Sequence, residues 1–185
     1  MDEALLELAK DGDEDAFEEL VGVHRRELYV HCYRMLGSVQ DAEDALQESL
    51  LSAWRGLSGF EGRSSIRTWL YRVTTNACLR IGSKRQRRLL SPDYGPPRSA
   101  TDDLGEPVTD PIWIEPLPEE HPAGDEDDPV ASYQRRESVE LAYVAALQHL
   151  PATQRAVLLV REVLGFSADE AALMLDTTRA SINSA

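Results

Sequence analysis

The placement of proline is the feature that most restricts how this chain of 185 residues can fold. Nine of the ten prolines fall within residues 91–131, together with twelve acidic residues and one arginine. Proline disrupts helices and central strands. No apolar periodicity survives in this stretch, so burial cannot offset the entropy of ordering it. The sequence therefore predicts a flexible acidic linker at 91–131, between one folded domain at 1–90 and a second at 132–185.

The first domain shows helical periodicity and no alternating strand pattern. Asp13 and Ser38 are candidate N-caps, and Gly37 is a candidate helix end. A short helical stretch is predicted at 2–9, and a basic helix is predicted from about Ser64 to the Arg87–Arg88 region. Because the second domain is helical as well, the fold class is predicted as all-α, with two small helical domains joined by the linker.

The end of the second domain predicts a helix-turn-helix, the hairpin that many proteins place in the major groove of DNA. Ser167 is the candidate N-cap of its first helix, and Asp176–Thr177 form the predicted turn. The chain stops about two turns into the last helix, and since a mean helix has about 11 residues, we expect the natural protein to continue. The polar residues predicted to face DNA are Thr178, Arg179, Ser181, Asn183 and Ser184.

Charge is distributed unevenly along the chain. The formal net charge is −14, yet residues 63–88 carry eight basic residues and no acidic one. A helical wheel predicts a core face formed by Ile66, Trp69, Leu70, Val73, Ala77 and Ile81. It predicts an outer face formed by Arg67, Tyr71, Thr74, Thr75, Cys78 and Arg85, with Arg72 and Asn76 on its flank. Basic groups neutralise phosphates, and hydroxyl, amide and aromatic groups read or stack bases. We therefore interpret the outer face as a nucleic-acid surface, and a merely solvated basic face is the alternative.

Two further stretches suggest contact surfaces. Asp41, Asp44, Gln47 and Glu48 line one polar face of the helix before the basic one, and this face is either solvated or binds a basic protein partner. In the acidic linker, residues 112–114 are three large apolar side chains, Ile112, Trp113 and Ile114. They indicate either a small docking point or a local apolar cluster.

The sequence carries no recognisable catalytic motif, so we expect neither an enzyme nor a bound cofactor. His24, His31 and Cys32 lie near one another, but a zinc site would need further ligands. Cys32 and Cys78 are expected to be small buried residues. No apolar run approaches the ~18 residues of a membrane span, and the start of the chain is acidic, so we expect a cytoplasmic protein.

Two stretches resemble the sigma-70 family of bacterial RNA polymerase sigma factors, specifically its small extracytoplasmic-function (ECF) group. The sequence "DAEDALQESLLSAWRGLSGFEGRSSIRTWLYRVTTNACLRIGSKRQRR" resembles region 2 of that group. The sequence "LPATQRAVLLVREVLGFSADEAALMLDTTRASINSA" resembles region 4. The segments "DPIWIEPLPEEHP" and "ESVELAYVAALQHLP" further resemble a subgroup with a C-terminal SnoaL-like domain, which would follow Ala185.

The resemblance implies promoter recognition, DNA melting and transcription initiation. The implied partners are core RNA polymerase, promoter DNA, and an anti-sigma factor or the protein's own SnoaL-like domain. The loop at 58–65 would receive a flipped base of the −10 promoter element, and the acidic linker would follow a positively lined RNA channel. The clamp coiled coil of the polymerase would be bound by Asp41, Asp44, Gln47 and Glu48. The −10 element would be contacted by Arg63, Ser64, Arg67, Tyr71, Arg72, Thr75, Asn76, Arg80, Lys84 and Arg85. The −35 element would be contacted by Thr178, Arg179, Ser181, Asn183 and Ser184.

Two positions depart from the common pattern of the family. Asp176 stands where the turn often has glycine, and Ala171 and Ala172 are small, which predicts looser packing of region 4. Two other functions stay open at this point. One is a helix-turn-helix regulator that binds duplex DNA without polymerase, and the other is a helical adaptor whose basic helix binds an acidic protein.

Overall fold

The computed structural model describes residues 3–84, 114, 115, 117 and 140–184, and within them it contains helices and turns but no β-strand. The first helical group comprises α1 (Glu3–Lys10), α2 (Glu14–Leu36), α3 (Val39–Gly56) and α4 (Ile66–Gly82), with a 3₁₀ turn at Leu57–Gly59. The second helical group comprises α5 (140–148), α6 (Ala152–Leu158) with a π-helical turn at Leu159–Val163, α7 (Ala168–Met174) and α8 (Arg179–Ser184). The all-α prediction is confirmed.

Local sequence signals fix the helix ends of the first group. The Asp13 carboxylate accepts a hydrogen bond from the Ala16 amide at 2.9 Å, which satisfies a free N–H group in the first turn of α2. Gly37 ends α2 in the left-handed conformation with φ 70°. Ser38 then caps α3 by accepting from the Asp41 amide. All three predicted ends are confirmed.

The basic helix is shorter than predicted. The Ser65 hydroxyl caps α4 by accepting from the Thr68 amide at 3.0 Å. The helix ends at Gly82, and Ser83 and Lys84 follow in a turn. The prediction that this helix continues to the Arg87–Arg88 region is therefore wrong, because the helix ends at Gly82. Arg85 lies outside the described residues.

The core of the first group lies between α2, α3 and α4, which pack against one another in all three pairs. Leu28 is fully buried, and Leu57 and Leu70 are each 1% exposed. Burying one such side chain contributes about 1.5–3 kcal/mol before entropy costs. This three-helix packing fixes the direction of α4, which carries six of the ten residues predicted to contact the −10 element.

The second group ends in the predicted helix-turn-helix. Ser167 and Glu170 form a reciprocal capping box at the start of α7, so each satisfies a free backbone N–H group of the other. Asp176 occupies the turn with φ 49°, a left-handed conformation that glycine adopts more easily. Ala171 is fully buried, Ala172 is 9% exposed and Ile182 is 4% exposed, so the looser packing expected from the two alanines is not seen between α7 and α8.

The two helical groups pack against each other, and a buried arginine joins them. Arg155 of α6 is 8% exposed and donates to the carbonyl oxygens of Met35, Leu147 and Leu150. The Gln148 side chain accepts from the same guanidinium at 2.6 Å. Because Met35 lies in the last turn of α2, the guanidinium places a positive charge where the helix dipole favours it.

One described piece of the linker docks at the α2–α3 corner. The Glu115 carboxylate accepts from the Val39 amide at 2.7 Å and from the Ser38 hydroxyl at 3.2 Å. The Tyr33 hydroxyl donates to the Glu115 carbonyl at 2.6 Å, and Ile114 is buried with 7% exposure. Residues 112–114 were interpreted above as either a small docking point or a local apolar cluster. The burial of Ile114 at this corner supports the docking point. Ile112 and Trp113 lie outside the described residues.

Candidate nucleic-acid interface

A polar and basic stripe runs along the exposed side of α4. Arg72, Asn76 and Arg80 follow one another at four-residue spacing, and all three are exposed. Lys84 is exposed just beyond the helix. Residues four apart lie above one another on a helix, so these side chains form a line that can follow one phosphate backbone.

The predicted outer face of α4 is wrong for four of its residues. Tyr71, Thr74, Thr75 and Cys78 are all at most 1% exposed. The Thr75 hydroxyl hydrogen-bonds the His31 ring of α2 at 2.9 Å, and the rings of His31 and Tyr71 meet edge to face at 5.3 Å. The helical wheel placed the core on the apolar arc alone, whereas α2 also packs against the arc that carries the threonines.

Arg67 is held by contacts from both helical groups. Its guanidinium donates to both oxygens of the Glu27 carboxylate, from Nη2 to Oε2 at 2.9 Å and from Nε to Oε1 at 3.2 Å and to Oε2 at 3.1 Å. It also lies 4.9 Å from the ring centre of Tyr71 and 5.1 Å from that of Phe166, in cation–π geometry. The predicted DNA contact of Arg67 is therefore already occupied by an anion and two aromatic rings.

The electrostatics of this cluster follow from those contacts. Burial tends to raise the pKa of Glu27, but hydrogen bonds from Arg67 and His24 outweigh it and hold that pKa below its ordinary value. The hydrogen bond to Glu27 raises the pKa of Arg67. Both side chains therefore stay charged at neutral pH and form an ion pair. The Glu27 carboxylate partly neutralises the positive charge that Arg67 could offer to a phosphate.

The loop at 58–65 borders a cavity of about 480 Å³. The first helical group supplies one side of the cavity, including Phe60, Ser64 and Trp69, and α7 supplies the other through Glu170, Leu173 and Met174. Arg63 also lines it, 85% exposed and 3.1 Å from the Glu61 carboxylate. The loop predicted to receive a base therefore borders a pocket. Part of the lining of this pocket comes from α7 of the second helical group.

The predicted polymerase-binding face on α3 is only partly exposed. Asp44 and Gln47 are exposed, and Glu48 is half-buried and pairs with Arg80 of α4 at 2.7 Å. Asp41, in contrast, is 3% exposed, so its predicted place on an open polar face is wrong. Asp41 lies in the first turn of α3, next to the Ser38 cap. Glu115 of the linker contacts Ser38, so this end of the helix is covered by other residues.

The helix-turn-helix presents its polar residues as predicted. Thr178, Arg179, Ser181, Asn183 and Ser184 are all exposed. Arg179 lies 3.6 Å from the Asp169 carboxylate, and both side chains are about two-thirds exposed, so this pair is weak and easily exchanged for a phosphate.

The described residues include no cluster arranged to bind a metal ion, and their two cysteines are buried. Within these residues, no group of three or more histidine, cysteine, aspartate or glutamate side chains is arranged to hold a metal ion. Cys32 and Cys78 are both buried. A hydrogen bond with Cys32 and burial raise the pKa of Cys78 well above its ordinary value, so it is a thiol rather than a reactive thiolate. Every described helix is too short or too polar to span a bilayer.

Sequence reasoning missed three residues of this interface. Glu27, Phe166 and Glu170 were not singled out, yet they contact Arg67, Tyr71 and Thr68. Glu27 lies 40 residues from Arg67 in sequence, and Glu170 lies 102 from Thr68. No local pattern reports contacts over such separations, and the capping-box spacing of Ser167 and Glu170 indicates a helix start rather than a contact with α4.

Comparison with known proteins places these features in one family. Residues 20–88 match Sigma-70 region 2, and residues 140–185 match Sigma-70, region 4. The ECF RNA polymerase sigma factor SigG of Mycobacterium tuberculosis is 49% identical over 163 residues, which are 87% of this chain and 43% of SigG. The ECF RNA polymerase sigma factor SigW of Bacillus subtilis is 41% identical over 86 residues, 46% of this chain and 43% of SigW. The chain thus spans less than half the length of these two relatives.

Two solved structures share the fold. One is CnrH in complex with the cytosolic domain of CnrY, with a TM-score of 0.61, 20% identity, and coverage of 98% of this chain and 86% of that one. The other is the sigma factor RpoE in complex with the anti-sigma factor NepR from Bartonella quintana, with a TM-score of 0.59, 22% identity, and coverage of 91% and 88%. The described fold, with the basic helix α4 beside a loop that borders a cavity and with a helix-turn-helix at its end, matches these two structures. The chain belongs to the sigma-70 family of RNA polymerase sigma factors, in its ECF group.

Proposed function

We propose that this protein is an ECF sigma factor that brings core RNA polymerase to promoters and helps melt them for transcription initiation. It acts by binding, in the cytoplasm, and catalyses no reaction by itself. The observation that carries the proposal is the exposed line of Arg72, Asn76 and Arg80 on α4, which begins at the cavity of the 58–65 loop, where Arg72 is a lining residue. A strand laid along this line would bring its bases to the cavity.

Each part of the chain has a proposed task. Residues 1–90 would bind the polymerase clamp and the −10 element, residues 132–185 would bind the −35 element as duplex, and the acidic 91–131 linker would lie in a positively lined channel. The exposed candidates for the −10 strand are Arg63, Arg72, Asn76, Arg80 and Lys84, with the half-buried Ser64. Arg67 is bound by Glu27, and Tyr71 is packed between His31 and Phe166, so these two are candidates only if those contacts break. Arg85 is a candidate from sequence alone. Buried Thr75 would act through the position of His31 rather than by contact.

The polymerase and a regulator are the proposed protein partners. Asp44, Gln47 and Glu48 are the accessible part of the α3 face and would meet a basic surface of the clamp. RpoE, which shares the fold, is described in complex with an anti-sigma factor. By analogy, an anti-sigma factor or a SnoaL-like domain of the same protein would regulate this chain.

Run-off transcription with core polymerase tests the proposal directly. The double variant Arg72→Ala/Arg80→Ala should reduce the promoter-dependent transcript by about a hundredfold, because removing each phosphate or base contact costs about 1–3 kcal/mol. Arg55→Ala is the matched control, since it removes an exposed arginine from the end of α3. Retention of full transcription by the double variant would contradict the assignment of the strand-reading line.

A gel-shift experiment separates this function from that of a regulator that works alone. The proposal requires promoter binding only when core polymerase is present. Tight binding of the free chain to a duplex site, unchanged by core polymerase, would instead favour a helix-turn-helix regulator. Competition by single-stranded DNA separates both from an adaptor for an acidic protein.

A further inference from the structure

One short piece of the linker is bound at the corner between α2 and α3 through both its backbone and its side chain. The Glu115 amide donates to the Gly37 carbonyl at 3.3 Å, and the Glu115 carbonyl accepts from the Tyr33 hydroxyl at 2.6 Å. The Glu115 carboxylate accepts from the Val39 amide at 2.7 Å and from the Ser38 hydroxyl at 3.2 Å. A single residue of the linker therefore makes four hydrogen bonds with the first helical group.

Apolar contacts and a helix dipole strengthen this attachment. Ile114 is buried with 7% exposure, and Leu117 is half-buried against the core. The Glu115 carboxylate lies at the N-terminal end of α3, where the helix dipole favours a negative charge. We call Ile114, Glu115 and Leu117 the linker anchor.

The linker anchor divides the connection between α4 and α5 into two lengths of chain. Residues 85–113 precede it, and residues 118–139 follow it. A chain spans at most about 3.3–3.6 Å per residue. The whole connection between Lys84 and the start of α5 could therefore bridge about 185–200 Å, whereas the part after the linker anchor could bridge only about 75–85 Å.

These two lengths differ in what they allow on a promoter. The −10 and −35 elements lie about 25 base pairs apart, which is about 85 Å of duplex at about 3.4 Å per base pair. A tether of about 185–200 Å leaves that separation unrestricted. A tether of about 75–85 Å is close to its limit, and a linker that cannot span two sites loses their joint binding. The attachment of Glu115 therefore decides whether the linker restricts the separation.

We propose that Glu115 stays bound to region 2 while region 4 binds the −35 element, so that residues 118–139 alone limit how far apart the two promoter elements can lie. Glu115 is then a positioning residue that determines promoter choice through the length of chain it leaves free. This inference rests on the proposed function, since it needs regions 2 and 4 to bind two elements of one promoter.

Insertions on either side of the linker anchor test the inference without touching a described residue. Twelve glycine and serine residues, about 40 Å of chain, are inserted after the linker anchor, between Gly124 and Asp125, or before it, between Gly105 and Glu106. Each full-length variant is assembled with core polymerase. The templates carry −35 and −10 sequences selected from a random library by the wild-type holoenzyme. One template keeps the selected spacer, and the other has a spacer longer by one helical turn, about 34 Å, which leaves both elements on the same face.

The measured quantity is the ratio of run-off transcript from the lengthened template to that from the selected one. The insertion after the linker anchor should raise this ratio at least about tenfold over the wild type, because the tether can then span the longer spacer. The insertion before the linker anchor should leave the ratio at the wild-type value, because it adds chain on the other side of the attachment. The two insertions have the same length and composition, so each is the control for the other.

The outcomes separate the inference from the proposed function. Equal increases from the two insertions would show that Glu115 is not attached in the holoenzyme, and no increase from either would show that the tether does not limit the separation. Both results overturn the inference and leave the sigma factor function standing, because the selected template is still transcribed. Absence of any promoter-dependent transcript from the wild-type holoenzyme overturns the proposed function, and the inference with it.

Point variants test the role of Glu115 itself. Glu115→Ala removes the acceptor of the Val39 amide and should raise the transcript ratio as the insertion after the linker anchor does. Glu115→Gln keeps an acceptor oxygen and should retain the wild-type ratio. Glu120→Ala removes one acid from the same linker and is the control for charge. A wild-type ratio in Glu115→Ala, or equal increases in Glu115→Ala and Glu120→Ala, would overturn the assignment of the attachment to Glu115.

Discussion

At the scale of single residues, buried polar groups fix how the helices of this protein pack against one another. Arg155 is the main example, because its guanidinium donates to carbonyl oxygens of α2, of α5 and of the connection between α5 and α6. Arg155 is buried, so its removal would take this donor from the Met35 carbonyl, and a buried acceptor left unsatisfied costs about 1–3 kcal/mol. His31 is a second buried polar residue, 2% exposed, between α2 and α4.

His31 predicts a pH dependence of stability. Burial, with the nearby Arg34, lowers the pKa of His31 from 6.5 to about 4. The unfolded chain therefore takes up a proton at a higher pH than the folded one, and stability falls as the pH drops from about 6.5 to 4, by up to about 1.4 kcal/mol per unit. His31→Gln should lose this slope, so the stability gap between it and the wild type should narrow on acidification.

Urea unfolding followed by circular dichroism at a series of pH values measures the effect. His149→Gln is the matched control, since His149 is exposed. The control should keep the wild-type slope. An unchanged slope in His31→Gln would show that His31 is not a source of the acid sensitivity.

At the scale of elements, α4 serves as a core helix and as a surface helix. Helices α2 and α3 cover much of its circumference, and α7 covers another part. The remaining exposed line is narrow and contains Arg72, Asn76 and Arg80. Helix α3 depends in turn on the linker, because Glu115 joins Ser38 in capping its first turn.

Glu115→Ala should destabilise the corner between α2 and α3. Loss of the carboxylate leaves the Val39 amide without its 2.7 Å acceptor, and removal of such a cap costs about 1 kcal/mol. Thermal or urea unfolding measures the change, with Glu19→Ala on the exposed side of α2 as control. Equal stabilities of the two variants would show that the linker contact adds nothing.

At the scale of the whole molecule, the surfaces proposed for polymerase and for DNA lie on the neighbouring helices α3 and α4 and are joined by the Glu48–Arg80 ion pair. Tyr71, on the α4 side of this pair of surfaces, is buried under Phe166, whereas Asp44 and Gln47 on α3 are exposed. The proposed polymerase face is therefore the more accessible of the two surfaces.

Asp44→Lys should weaken binding to core polymerase by about tenfold or more, because a like charge at a basic surface costs several kcal/mol. Glu43→Lys is the matched control, as an adjacent exposed acid that points about 100° away around the helix. Titration of labelled core polymerase measures both. Comparable losses in the two variants would indicate a general charge effect and contradict the assigned face.

The sequence by itself determined the helices, most of their caps, the helix-turn-helix and the family, because these depend on neighbours within about four residues or on contiguous motifs. Gly37, Ser38 and Ser167 all act as local patterns predict. Only the tertiary structure decided which side of α4 is open, that Asp41 is buried, and that Phe166 and Glu27 hold Arg67. A helical wheel gives the direction of each side chain but not how many other helices pack around it. On α4 those neighbours come from both halves of the chain.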